Sequence, residues 1–233
     1  MGEHIVTSFD EDLEHIDRLI RDMGGLGASM VDAATRSLLR SDNALAQRVI
    51  SDDVVMDAKQ RELDEAAITL IAKRQPMAQD LRSVVGAIRM AADLERVGDL
   101  AKNIGKRVSA VGQASAPKSL SHSIETMSDL VLDQVRRVVE LYVARDAEAL
   151  ETLRANDEKI DIHYTAVFRE LLTYMMEDPR NISACTHLLF CAKNLERIGD
   201  HVTNIAENAY FVMTGRQLPA SRPKVDETTV SAA

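Results

Sequence analysis

Apolar residues recur every three or four positions over long stretches of this chain. One continuous series reads Leu188, Cys191, Leu195, Ile198, Val202, Ile205, Ala209 and Val212. Such spacing lines up apolar side chains along one face of a helix, which then packs on its neighbours at a shallow angle. A similar series covers 90–111, and apolar residues follow a seven-residue spacing over 9–30. The pattern predicts long amphipathic helices.

The chain also contains an internal repeat. The segment LERVGDLAKNI, residues 94–104, recurs 101 residues later as LERIGDHVTNI, residues 195–205. Three upstream aspartates have counterparts in the second copy at an offset of 104: Asp42, Asp53 and Asp57 correspond to Asp146, Asp157 and Asp161. Because each copy carries three helical segments, we expect an elongated all-α protein made of two tandem, sequence-related three-helix bundles.

Turn-forming residues set the expected boundaries. The segment GQASAPK, residues 112–118, separates the copies, and no apolar period continues beyond Gly215. We therefore predict a first bundle over 1–113, a second bundle over 114–214 and a mobile C-terminal tail over 215–233. Asp42 and Asp146 precede helical segments and are expected to act as N-caps, because a short carboxylate accepts hydrogen bonds from first-turn amides.

Composition narrows the classes of protein that remain. Among 233 residues, 10 Gly and 5 Pro are too few for the frequent turns of a β-sandwich or barrel. A formal net charge of −9 disfavours nucleic-acid binding. No segment is apolar enough to span a membrane and the acidic start does not resemble a signal peptide, so a cytoplasmic protein is expected. Cys185 and Cys191 lie on different helical faces, which makes a disulfide unexpected.

The repeated segment carries a polar stripe beside its apolar seam. Residues four apart point the same way on a helix, and each copy has three oxygen-bearing side chains at this spacing: Glu95, Asp99 and Asn103, then Glu196, Asp200 and Asn204. Like charges at this spacing cost a helix roughly 0.2–0.5 kcal/mol. The arrangement therefore suits a bound cation better than it suits the helix.

A second acidic pair lies on the preceding helix of each copy. Asp53 with Asp57, and Asp157 with Asp161, have the same spacing and can face the stripe across an antiparallel helix pair. Four carboxylates and an Asn amide per bundle make an oxygen-rich site suited to magnesium, manganese or iron. A solvated acidic surface is the commoner explanation for one such stripe, but its duplication favours metal binding.

Other residues of the repeat permit two interpretations. Arg96 and Arg197 are expected either to pair with nearby acids or to contact a partner or anion. Gly98 and its counterpart in the second copy indicate a close helix crossing rather than space for ions. His163 and His201 are near enough in sequence to the acids to reach a metal, although a lone His is more often a hydrogen-bonding residue.

Several enzyme signatures are absent from the sequence. It has no Walker loop, dinucleotide fingerprint, zinc-type Cys/His spacing or nucleophile elbow. Three residues after Glu95 and Glu196 stands a Gly, not the His of di-iron bundle enzymes. A catalytic function is therefore not expected.

The duplicated LER[VI]GDxxxNI segment, with ELLTYMMEDPRNIS at 170–183, resembles the PhoU family of bacterial phosphate-transport accessory proteins. This resemblance covers nearly the whole chain. It implies multinuclear metal clusters held by the acidic motif, which falls on Glu95, Asp99, Glu196 and Asp200, with the four aspartates of the preceding helices facing them. The ion stays open among iron, zinc, manganese and magnesium.

The resemblance also implies a function. PhoU-like proteins link the phosphate ABC transporter to a membrane sensor histidine kinase, restrain uptake and keep the phosphate-starvation response off. We therefore expect a negative regulator that is a metal-binding adaptor, homodimeric and at most peripheral to the membrane, with the transporter ATPase and the kinase as partners. Two alternatives remain at this point: a carboxylate-bridged metal-dependent phosphoesterase, and a purely structural helical dimeriser.

Overall fold

The computed structural model describes residues 2–111, 118–155 and 158–218, and all regular structure in these ranges is helical. The helices are α1 (Gly2–Arg40), α2 (Asn43–Arg74), α3 (Gln79–Gly105), α4 (Val108–Val111), α5 (Lys118–Ala144), α6 (Ala147–Ala155), α7 (Glu158–Glu177) and α8 (Ile182–Thr214), with a 3-10 turn at Pro179–Asn181 before α8. The expected all-α class is confirmed. Of the predicted tail over 215–233, residues 219–233 lie outside the described residues.

Helix starts follow the expected capping chemistry. Asp42 has extended backbone geometry, and its carboxylate accepts a hydrogen bond from the Leu45 amide at 2.9 Å. Asp146 accepts from the Ala149 amide at 3.0 Å. Both contacts satisfy amides that have no partner within the first helical turn. The two predicted N-caps are confirmed.

The two halves repeat one arrangement. Helices α1, α2 and α3 pack together as the first bundle, whereas α5, α8 and the pair α6 and α7 form the second. In the second bundle α6 and α7 together take the place of α2. Residues 156 and 157, between these two helices, lie outside the described part, and with them the predicted ligand Asp157.

The bundles lie side by side and share a hydrophobic core. Helix α1 packs on α5, and α3 packs along α8 in the opposite direction, so buried residues of both halves belong to one cluster. Gly86 of α3 meets Val212 of α8, while Asp93, further along α3, meets His201 nearer the start of α8. The sequence predicted two bundles but not this lengthwise packing.

Two further expectations concern helix faces. Cys185 and Cys191 are buried and unbonded to each other, as the spacing predicted. A Cβ added at Gly98 would lie 3.1–3.5 Å from side-chain atoms of Met56 and Met30. The absence of a side chain at Gly98 therefore permits the close crossing of α3 with α2 and α1. None of the helices in the described ranges is long and apolar enough to cross a membrane.

Candidate functional site

The acids predicted in the first half converge between α2 and α3. We define the first acidic cluster as Asp53, Asp57, Glu95 and Asp99. Burial raises the pKa of Glu95, Arg96 opposes this rise, and the charges of Asp99, Asp57 and Asp53 add to it. Mutual influence of this kind requires the carboxylates to lie close together. The predicted facing of the Asp pair and the Glu/Asp stripe therefore exists in this half.

A lysine occupies the centre of the first acidic cluster. Lys102 Nζ lies 2.6 Å from Asp53 Oδ2 on α2 and 2.5 Å from Asp99 Oδ1 on its own helix. Both carboxylates hold the lysine pKa well above its usual range, although burial acts in the opposite direction. The ammonium thus joins two helices through two carboxylates of the cluster.

The second acidic cluster consists of Asp161 on α7 with Glu196 and Asp200 on α8. Burial raises the pKa of Glu196, the hydrogen bond and charge of Lys193 lower it, and the charges of Asp200 and Asp161 raise it further. Lys193 Nζ lies 2.7 Å from Glu196 Oε1. The other oxygen, Glu196 Oε2, is buried and receives no hydrogen bond from the described residues.

The two clusters are therefore not equivalent. In the repeat, Lys102 corresponds to Thr203, which is neutral, and Lys193 corresponds to Ala92. In the first cluster Lys102 lies between two carboxylates. In the second cluster Lys193 contacts Glu196 Oε1, and the lysine side chain is 40% exposed. A buried carboxylate oxygen without a donor is costly, so Glu196 Oε2 favours a further positive charge in the second cluster.

Not all of the polar residues of the repeat join the clusters. Asn204 Nδ2 donates to Asp93 Oδ1 at 3.3 Å, away from the acids of its own helix, and Asn103 makes no hydrogen bond within the described structure. His163 Nδ1 contacts the Lys159 carbonyl oxygen at 2.8 Å. His201 Nδ1 contacts Asp93 Oδ1 at 2.9 Å. Both histidines thus have the hydrogen-bonding role rather than contact with the clusters.

The arginines of the motif differ from each other as well. Arg96 lies 3.6 Å from Glu95 Oε2 and 3.4 Å from Asp99 Oδ2, which is the salt-bridge role. Arg197 is exposed and makes no ion pair with the described residues, so it stays accessible to a partner. Exposed ion pairs of the Arg96 kind contribute only about 0–1 kcal/mol to folding.

The second acidic cluster has one buried carboxylate oxygen that lacks a donor among the described residues. Within the described residues, no three His, Cys, Asp or Glu side chains meet closely enough to make a formed metal site. The donor chemistry of the second cluster nevertheless suits a hard cation, because Glu196 Oε2 is a buried carboxylate oxygen without a donor. In the first cluster, Lys102 already supplies the positive charge.

Sequence reasoning missed the residues that distinguish the clusters. Lys102 stands three positions after Asp99 and seven after Glu95, on the same helical face, and its replacement by Thr203 in the second copy was the available signal. Lys193 stands three positions before Glu196, and its replacement by Ala92 in the first copy was a second signal of the same kind. No local pattern indicated that Asp93 would meet His201, because the two belong to different copies.

Comparison with known proteins gives a consistent result. A family model described as the PhoU domain matches residues 20–108 and 124–209. A phosphate-specific transport system accessory protein PhoU homolog of Rhizobium meliloti (strain 1021) is 55% identical over 226 residues, covering 97% of this chain and 95% of that protein. The homolog of Caulobacter vibrioides (strain NA1000 / CB15N) is 48% identical over 226 residues, covering 97% of this chain and 98% of that protein.

Solved structures show the same likeness. The crystal structure of PhoU from Pseudomonas aeruginosa superposes with a TM-score of 0.85 at 32% identity, covering 89% of this chain and 100% of that one. The crystal structure of the phosphate transport system regulatory protein PhoU from Streptococcus pneumoniae superposes with a TM-score of 0.83 at 26% identity. This match covers 91% of this chain and 99% of that one. The similarity thus extends over both bundles and their relative placement.

Proposed function

This chain belongs to the PhoU family, and from that premise we propose that it is an accessory protein that represses phosphate uptake and the phosphate-starvation response when phosphate is plentiful. The single observation that carries the proposal is the match of both bundles to the PhoU domain, together with 55% identity to a phosphate-specific transport accessory homolog over nearly the whole length. A role in regulating phosphate transport follows directly from this relationship.

The finer proposal is that the protein acts as an adaptor. We place it at the cytoplasmic side of the membrane as a homodimer, between the ATPase of the phosphate transporter and a sensor histidine kinase. Exposed apolar side chains support contacts with other proteins, since Val54 and Ile68 on α2 are 65% and 63% exposed and Met176 at the end of α7 is 78% exposed. These apolar groups belong to both bundles, so each bundle can contribute to contacts with a partner.

Deletion of the gene in its native host tests the regulatory function. We expect the deletion to raise alkaline phosphatase activity in phosphate-rich medium to the level of starved wild-type cells, because the repressing adaptor is missing. A plasmid copy of the intact gene is the control and restores repression. Normal repression in the deletion strain would contradict the proposal.

We further propose that the acidic clusters bind cations. The ligands would be Asp157, Asp161, Glu196 and Asp200 in the second bundle, and Asp53, Asp57, Glu95 and Asp99 in the first bundle once Lys102 has moved away. A bound divalent cation would supply positive charge to the buried carboxylates. Iron, zinc, manganese and magnesium all accept such oxygen ligands. The buried, unpaired oxygen of Glu196 supports the second site most directly.

Glu196→Gln tests the cation proposal. In chelator-treated buffer we expect this variant to be more stable than wild type, because the amide keeps the shape but removes a buried charge. Mn²⁺ should stabilise wild type by about 2.7 kcal/mol at one hundred times its Kd, and Glu196→Gln by much less. Thermal denaturation with and without Mn²⁺ measures both effects.

Glu95→Gln is the matched control, because it changes the corresponding residue in the cluster that Lys102 already neutralises. We expect Glu95→Gln to reduce the Mn²⁺ response less than Glu196→Gln does, because the first cluster accepts a cation only once Lys102 has moved away. An equal Mn²⁺ response in Glu196→Gln and wild type would refute binding at the second cluster, while leaving the regulatory function untouched.

A further inference from the structure

The outward face of α2 carries a second pattern, separate from the apolar face that packs in the core. Exposed residues alternate spacings of four and three along it, at Val54, Ala58, Arg61, Glu65, Ile68 and Ala72. We call these residues the outer stripe of α2. Alternate spacings of four and three form the contact seam of a coiled coil, in which two helices pack side by side. The outer stripe therefore has the geometry of a helix-pairing surface.

The outer stripe faces away from the rest of the molecule. The tertiary contacts of α2 come mainly from α1 and α3. These helices cover the opposite side of α2, where Met56 and Leu63 are fully buried. On the stripe, Val54 and Ile68 are 65% and 63% exposed. From Val54 to Ala72 the stripe is roughly 27 Å long at the helical rise of 1.5 Å per residue. A second long helix can therefore lie along it.

The two charges of the stripe have no ion pair within the described part of the chain. Arg61 and Glu65 are four positions apart, yet they pair neither with each other nor with another described side chain. Arg before Glu is the less favourable order for a pair at this spacing within one helix. Both charged groups are therefore available to a partner.

The charges are complementary to those of the same stripe in reverse. When a second α2 runs antiparallel with its Leu63 level with Leu63 of the first, Arg61 lies opposite Glu65 of the second copy. The two-fold axis creates the reverse pair as well. Opposite charges that face each other fix the register of an interface and favour this partner over others. The centre of the stripe thus matches a second copy of itself.

The apolar ends of the stripe match in the same register. Val54 lies opposite Ala72 of the second copy, and Ala58 lies opposite Ile68. Each large side chain meets a small one, so the two helices can approach closely. Pairing also removes two exposed β-branched side chains of each chain from water, which favours association. Charge and shape therefore indicate the same antiparallel arrangement.

The corresponding face of α7 does not have this self-complementarity. Its exposed residues show the same alternation of four and three, at Ile162, Ala166, Arg169, Thr173 and Met176. Arg169 is the midpoint of that series. An antiparallel pair of α7 helices would therefore place two arginines against each other, and like charges at an interface are unfavourable. Symmetric pairing is favoured at α2 and disfavoured at α7.

One acid beside the outer stripe opposes the pairing. Glu62 flanks the stripe on the side of α1, where its Oε1 lies 3.6 Å from His15 Nε2. In the antiparallel register, Glu62 lies near Glu62 of the second copy. Their repulsion weakens the association, so a dimer of moderate affinity is expected.

We propose that two copies of this chain associate through the outer stripe of α2 as an antiparallel, two-fold symmetric helix pair. Because the same surface is used by both copies, the assembly closes at a dimer. The inference rests on the homodimer of the proposed function and names the surface that forms it. It requires no bound metal.

Sedimentation equilibrium of the full chain in chelator-treated buffer measures the association. We expect a monomer–dimer equilibrium with a Kd on the order of 10 µM, in keeping with a small interface. Arg61→Glu and Glu65→Arg should each weaken the dimer at least tenfold, because each brings like charges together at its centre. The double variant should recover wild-type affinity. The matched control is Arg48→Glu, the same charge change at an exposed α2 position outside the stripe, which should leave Kd unchanged.

A mixture of the two single variants gives the sharpest test. The Arg61→Glu chain has two acids at the centre of the stripe, and the Glu65→Arg chain has two arginines. Each variant should therefore bind the other more tightly than it binds itself. Glu62→Gln removes the opposing charge and should tighten association of the otherwise wild-type chain.

Three results would overturn the proposal. A wild-type chain that stays monomeric at hundreds of micromolar would overturn the homodimer as well. A dimer that Arg61→Glu leaves intact would place the interface elsewhere, with the homodimer itself retained. Assemblies that grow beyond the dimer with concentration would indicate a head-to-tail contact with another face. None of these results bears on repression in phosphate-rich medium, which the gene deletion tests separately. Circular dichroism of each variant establishes that its helices are intact.

Discussion

Replacing Lys102 by Met is expected to lower the free energy of unfolding by about 3 kcal/mol, within the range for breaking a largely buried ion pair. The lysine side chain is 18% exposed, and its partners Asp53 and Asp99 are 9% and 29% exposed. Met keeps the length of the side chain but leaves two neighbouring carboxylates without their cation. Chemical denaturation in chelator-treated buffer at pH 7 measures the loss.

The pH dependence of this stabilisation has a defined sign. Asp53 and Asp99 raise the pKa of folded Lys102 above its ordinary value, which is about 10.4 in an unfolded chain. The contribution of the lysine is therefore complete below pH 10 and is lost as the pH rises through its folded pKa. Near neutral pH the lysine is protonated in both the folded and the unfolded chain. Its ionisation should therefore cause no pH dependence in the difference in unfolding free energy between wild type and Lys102→Met.

Lys59→Met is the control for the loss of a lysine as such. Lys59 Nζ lies 2.9 Å from Asp22 Oδ2, but the partner is 59% exposed, so the substitution should cost about 0–1 kcal/mol. Adding Asp53→Asn to Lys102→Met should recover part of the loss, because it removes one of the two unpaired charges. Equal costs for the two lysine variants would show that Lys102 does not bridge buried carboxylates.

Gly86→Leu is expected to destabilise the packing of the two bundles by about 2 kcal/mol, the middle of the range for overpacking a core. A Cβ at Gly86 would lie closer to Val212 Cγ2 than the 3.0 Å that real Cβ atoms keep. Val212 is 2% exposed and β-branched, so it cannot turn aside easily. Thermal denaturation should show a lower melting temperature, although Leu favours a helix over Gly.

The control for Gly86 is Gly25 on α1. An added Cβ at Gly25 meets nothing within 4 Å, so Gly25→Leu should stabilise the protein by roughly 0.8 kcal/mol through helix propensity alone. Combining Gly86→Leu with Val212→Ala should cost less than the sum of the two single changes, because the smaller side chain leaves room. Simple additivity of the two changes would argue against the close approach of α3 and α8.

Much of the fold could be predicted from the sequence because its signals are local. Apolar residues spaced by three and four positions define a helix face regardless of what that face packs against. Asp42 caps α2 by accepting a hydrogen bond from the backbone amide of Leu45, only three residues away. The repeat predicted two related bundles, and it predicted that the Asp pair of α2 would face Glu95 and Asp99. Family membership followed from the motif and is confirmed by the comparisons.

The candidate site was predicted only in part. The spacing placed Glu196 and Asp200 on one face of a helix, yet it treated the two acidic clusters as equal. Their charges depend on which lysine reaches which carboxylate, and Lys102 meets an aspartate 49 positions away. Side-chain identity at one position of the repeat thus changed the electrostatics of a whole cluster.

By itself the sequence determined the helical class, the N-caps Asp42 and Asp146 and the helix faces on which the acids lie, because each of these depends on residues within a few turns of one another, and it showed the duplication directly. Only the tertiary structure decided that α3 and α8 pack lengthwise, that Asp93 meets His201 across 108 positions, and that a groove forms between the bundles. Contacts between separate helices depend on how whole faces fit together in space, and no local spacing encodes that fit.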